Sequence, residues 1–229
     1  MNSLKKLALL VSVVFTPLFL RAETHYEGNI FVGGKAGIGF SRVVFHPTVR
    51  QNMQPGAVFG VQGRYIEEKH FGIIAELNFE QRGWAENFEG APFSYHRLLN
   101  YLQLPVLAHI YFGSDKVHFF VNAGPEIGVM MGQNTISNFD YKNVESVPDF
   151  PIKDRQTAEL NLKAPKKLDF GISAGLGGEY FLDAKQSVTL EARFYYGLGN
   201  VIKTGRTETF SSANSLGIMV TAGYWFRMK

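Results

Sequence analysis

Apolar and polar residues alternate over long stretches of this chain, the two-residue period of a strand whose two faces meet different surroundings. In 71–84, Phe71, Ile73, Ala75, Leu77 and Phe79 form one set, while Glu76, Asn78, Glu80 and Arg82 belong to the other. The same rule marks 187–196 and 215–227, and five further segments at about 30–40, 57–65, 102–112, 119–129 and 170–180. No amphipathic helical period interrupts them. Eight strands are therefore expected. Their joins alternate in length: 67–70, 113–116 and 183–186 are hairpin-sized, whereas 42–56, 86–96, 132–167 and 198–214 are long and polar. Short turns on one side and long loops on the other mark an up-and-down barrel.

Alternation alone leaves open which face is inside. A secreted lipocalin-like barrel has the same period with the faces reversed. Three features favour lipid outside. The polar set is rich in small residues, as at Gly171, Ser173, Gly175 and Gly177, which suits a narrow interior. The apolar stripes are about ten residues long, enough for a tilted strand to cross a bilayer. Aromatics end the stripes: Tyr65, Phe71, Phe112, Phe119, Tyr180, Tyr224 and Phe226 near the turns, and Phe40, Phe79 and Tyr196 near the loops, as two interfacial girdles would require. The expected fold is all-β, an eight-stranded antiparallel up-and-down transmembrane β-barrel with short periplasmic turns and long external loops. Its inward set then holds Lys35, Arg64, Arg82, Arg193 and Arg227 against Glu76, Glu80, Glu126, Asp169, Glu179 and Glu191. Buried charges persist only when paired, so these residues are expected to fill the lumen as an ion-pair network. Eight strands leave an interior just wide enough for side chains, which disfavours an open pore.

Residues 1–22 read as a secretory signal: Lys5 and Lys6, an apolar run over 7–20, and Ala22 at the cleavage point, with Leu20 larger than usual at −3. The run is short for a membrane anchor, and Pro17 interrupts it. Residues 23–229 would form the barrel domain. The signal carries much of the basicity. Without Lys5, Lys6 and Arg21 the 23 basic residues become 20, equal to the 20 acidic ones, so no basic nucleic-acid-binding face is expected. The absence of Cys excludes disulfides, thiolate metal sites, a thiol nucleophile and an acylated lipoprotein N-terminus.

Several strings resemble the PorT-like outer-membrane β-barrel family of Bacteroidota: FVGGKAGIGFS at 31–41, LNYLQLPVLAHIYF at 99–112, FFVNAGPEIGVMM at 119–131, LDFGISAGLGGEY at 168–180 and LEARFYYGLGNV at 190–201. Pro105 and the Gly124-Pro125 pair are the most characteristic, and proline inside a strand suggests a bulge or a local break. The resemblance spans essentially the whole mature chain and implies an architecture rather than one activity. Through the family's name-giving member it implies type IX secretion as an alternative role. One departure is that Arg227, Met228 and Lys229 follow Phe226, where many barrels end in an aromatic residue.

No GxSxG, HExxH or Walker string occurs. Of the six His, His109 and His118 lie inward on either side of one tight turn, the best pair for catalysis, but interior hydrogen bonding explains them more simply. Catalysis is not expected, nor a cofactor or a metal; a lipid-A-directed enzyme is the least favoured alternative. Recognition would then fall to the loops. The long 132–167 join carries Phe139, Tyr141 and Phe150, which suit contact with a protein partner or a lid over the barrel mouth. The expected surroundings are outer-membrane lipid and lipopolysaccharide, and the expected state is a monomer.

Overall fold

The computed structural model describes residues 28–152, 157–162, 166–204 and 208–228. The signal segment 1–22 lies outside the described residues. Eight long strands form the wall: β1 (Asn29–His46), β3 (Gln54–Glu68), β4 (Phe71–Glu86), β5 (Tyr95–Gly113), β6 (Val117–Ser137), β7 (Leu168–Phe181), β8 (Gln186–Asn200) and β9 (Ser212–Arg227). A two-residue strand, β2 (Gln51–Asn52), pairs with the end of β4. Each long strand runs antiparallel to the next, and β9 returns to β1, with Ala36 opposite Ala222. The ring is closed and leaves no edge within the apolar band, the requirement for strands in lipid. The all-β, eight-stranded up-and-down architecture read from the alternation is the observed one.

The apolar set faces outward. Val61, Leu176 and Leu190 are each more than 60% exposed, while Lys35, Arg64, Arg82 and Arg193 are at most 6% exposed. A soluble barrel would invert this pattern. The outward aromatics include all ten expected girdle residues: nine are exposed, and Phe79 is half-buried against Phe59, ring centroids 4.9 Å apart.

The strands outrun the stripes. The β5–β6 hairpin reaches Tyr95 and Ser137, and β4 reaches Glu86, well beyond the loop-side girdle. Alternation missed these extensions because the apolar positions there, such as Trp84, Tyr95 and Leu99, turn inward, reversing the parity of the lipid-facing stripe. The prolines act as breaks. Opposite Pro105 and Leu104 the β4–β5 ladder skips Glu76 and Leu77, and the β5–β6 ladder skips Gly124 and Pro125, in both cases without a change of register. Proline has no N–H to give the ladder. The true bulge lies higher, between Asn100 and Tyr101, where Met131 is the extra residue on β6.

Candidate functional site

Three tiers of paired charge cross the lumen. At the turn end Arg64 forms a bidentate pair with Glu179, both bonds 2.7 Å, and Ser187 Oγ donates to the same carboxylate at 2.5 Å. The Arg64 guanidinium is held between Phe31 and Trp225, 4.4 and 4.6 Å from their ring centroids, as cation–π stacking favours. In the middle tier Glu76 accepts from Lys35 at 2.6 Å, from Asn78 at 2.8 Å and twice from Arg193 at 2.8 Å. Arg193 also pairs with Glu191, which accepts from Asn122 at 2.9 Å. In the tier nearest the loops Arg82 donates to Glu80 at 2.7 Å, to Asp169 at 3.1 Å and to Glu126, over the face of Tyr195 at 3.7 Å. Tyr195 Oη donates to Asp169 at 2.9 Å, and Ser173 Oγ to Glu126 at 2.5 Å.

Adjacent strands supply this order because every second residue points inward and the register stacks those positions. Ten of the eleven residues expected in the interior are brought together. Arg227 is not: it is exposed at the turn-side rim, beside Asn29. It keeps the inward parity of Trp225, but the wall ends beneath it. Asn78, Asn122 and Ser173 were on the inward polar set but not among the expected network members, and Phe31, Trp225 and Ser187 were not singled out. Their inward parity was the available signal, and their aromatic or neutral character hid their role in a charge network.

The two histidines do not meet. Tyr111 stacks between His109 and His118, at 5.3 and 4.9 Å, and Asn122 Oδ1 lies 2.7 Å from His109 Nδ1. Among the described residues no cluster of His, Asp and Glu has the geometry to hold a metal ion.

Above the charged tiers a second apolar core fills the loop-side mouth. Val43 and Phe45 from β1, Trp84 from β4 and Tyr95 and Leu99 from β5 pack against Leu160, Ile202 and Phe210 from the loops. Phe139 and Phe150, expected either to meet a partner or to fold over the barrel mouth, lie over the mouth. Phe150 is buried, and its ring lies 5.0 Å from Phe139 and 5.1 Å from Phe93, with Phe88 closing the cluster. Tyr141 is half-buried against Tyr95 at 5.7 Å. These side chains lose more by facing water than by crossing the barrel mouth. The loop is tied down by hydrogen bonds from Tyr95 Oη to the Leu160 carbonyl at 3.1 Å and from Arg97 to the Leu162 carbonyl at 3.1 Å. Burial pushes the Tyr95 hydroxyl up to about 12, so it remains a donor at neutral pH.

Solved structures share this architecture at low identity. The outer membrane protein OprG from Pseudomonas aeruginosa aligns at TM-score 0.50 and 12% identity, over 90% of this chain and 99% of that one. Neisserial surface protein A aligns at TM-score 0.48 and 10% identity, over 87% and 98%. No curated protein matches the sequence. The family model of the outer membrane protein beta-barrel domain matches residues 22–203. The chain belongs to that family, and its lipid-facing wall is an outer-membrane wall.

Proposed function

We propose that this barrel is a sealed, monomeric, non-catalytic anchor that holds a packed loop platform at the cell surface for binding a macromolecular partner. One observation carries the reading: the lumen is crossed by three ion-paired tiers, while the loops above it form their own apolar core. The carboxylates of the three tiers are committed to guanidinium groups. An eight-stranded lumen with that filling has no room for a permanent aqueous path. The orientation follows from loop length, with the short turns in the periplasm. The strings around Pro105 and Gly124-Pro125 support placing the chain in the PorT-like branch of Bacteroidota, and the 1–22 segment fits a secretory signal.

The test is photo-cross-linking in intact cells from position 134, which is exposed beside the platform and lies outside 138–163. A discrete protein adduct is expected that disappears when residues 138–163 are deleted, while the deleted barrel still shows heat-modifiable migration. An adduct that survives the deletion would show that the platform is not the binding surface. In planar bilayers the purified protein is expected to give no steady conductance; a stable open channel would refute the sealed lumen.

A second reading rests on the periplasmic face. A pocket of about 700 Å³ there is lined by Asp115, Lys116, His118, Phe181, Asp183 and Arg227. A secretion-machinery role would use it to hold a periplasmic subunit, and co-purification lost on substituting Lys116 and Asp183 would support that role.

A further inference from the structure

Among the described residues the loop-side half of β6 has a sheet neighbour on one side only. Its ladder with β7 ends at Val129 opposite Leu168, followed by a 2.7 Å bond from Met130 N–H to the Lys167 carbonyl. Its ladder with β5 continues to Ser137 opposite Tyr95. Successive N–H groups along a strand point to opposite sides. Asn138 N–H points at β5, bonding the Ser94 carbonyl at 3.3 Å. Ser137, Thr135 and Gln133 therefore turn their N–H and C=O groups away from β5. Among the described residues no strand lies on that side. Such an edge is a template for another strand, and natural barrels ordinarily leave none.

What lies beside the edge is a cleft of about 570 Å³. Its floor and far wall include Arg97, Tyr141, Lys142, Asn161 and Leu162, with no acidic side chain in the lining. The volume is that of a ligand site. Amides and the exposed Lys142 beside an open strand edge suit an extended main chain with acidic side chains.

We infer that this edge takes up an extended acidic peptide segment of a partner protein as an additional antiparallel strand, through the backbone of Gln133, Thr135 and Ser137. Strand addition draws affinity from main-chain bonds and selectivity from alternate side chains. Here the exposed Lys142, in a lining without acidic side chains, would set the preference for acid. The inference rests on the platform reading and narrows it to one edge and one chemistry.

The test uses the full-length protein folded in detergent and a short acetylated peptide of alternating valine and threonine flanked by glutamates. Binding is expected, with backbone amide shifts confined to 132–137 and the facing loop. Thr135→Pro removes an N–H that β5 does not use, so the barrel stays folded and affinity falls by roughly tenfold or more. A peptide N-methylated at alternate residues loses binding to the unaltered protein, which keeps the test valid should the proline variant misfold. A lysine-flanked peptide binds more weakly, and Lys142→Glu narrows that difference. No binding, binding indifferent to N-methylation, or binding of a sulfated oligosaccharide instead would overturn the inference. The platform reading fails separately, only if the in-cell adduct survives deletion of 138–163.

Discussion

Arg82 shows how one side chain holds the lumen together. It is 1% exposed and is the shared cation of Glu80, Glu126 and Asp169. Its removal leaves three carboxylates facing one another without a counter-charge. Breaking a buried ion pair from one side costs about 3–5 kcal/mol, whereas replacing the whole group with neutral residues is often tolerated. Arg82→Met is therefore expected to lower the urea midpoint of the folded barrel strongly. Adding Glu126→Gln and Asp169→Asn should recover part of the loss; additive destabilisation in the triple variant would show that the network is not the cause. The inward parity of Arg82 was legible because its stripe is unbroken. Arg227 has the same parity in the sequence, yet the wall stops short of enclosing it, and strand ends leave no mark in a two-residue period. Tyr95 makes a pH prediction at this scale. Its folded pKa, about 12, stands above the ordinary 10, raised by burial. The stability it contributes is complete below pH 10 and is lost as pH rises from 10 toward 12. Loop-core loosening in that window, followed by near-ultraviolet circular dichroism, should vanish in Tyr95→Phe.

At the scale of the element, glycines on the wall have opposite requirements that the sequence does not distinguish. On β4, Gly83 has φ +158°, and a Cβ there would stand 1.8 Å from the Arg97 carbonyl on β5. Ser41 Oγ, from β1, accepts the Gly83 N–H at 2.9 Å, so three strands meet at this point. On β3, Gly63 faces lipid, and a Cβ there meets nothing within 4 Å. It lies in a shallow outer groove with Val61 and Leu104. Gly83→Ala should cost about 1–3 kcal/mol by overpacking. Gly63→Ala should stabilise the barrel by about 0.4–1 kcal/mol, chiefly by restricting the unfolded chain. Denaturant midpoints of the two variants that moved in the same direction would refute this account of the wall. Strand identity and facing were legible across the apolar band because lipid on one side and charge on the other enforce the alternation. Above the band the apolar positions of β4 and β5 turn inward to the loop core, reversing the parity, so the extensions of β4, β5 and β6, and with them the open edge at Gln133 and Thr135, could be read only from the register.

The whole molecule has two cores separated by the charged tiers, and each contains one of its two tryptophans. Trp84 is fully buried in the loop-side core beside Phe45, with ring centroids 5.4 Å apart. Trp225 is buried at the turn end against Arg64. The loop-side core takes Leu160, Phe150 and Phe139 from the long loop, whereas the turn-side core is built from the wall strands, Phe31, Ile66, Ile74, Leu107, Tyr111 and Phe120 around Trp225. The two regions are joined only through strands whose ladders do not involve the loop. Deleting 138–163 should therefore unpack one core and leave the other intact. In a Trp225→Phe background the deletion should red-shift the remaining emission and open it to acrylamide quenching. In a Trp84→Phe background it should change neither, and the band should still shift on boiling. If Trp225 also became accessible, the loop would be part of what holds the barrel closed, and the molecule would be one cooperative unit rather than a wall carrying a platform.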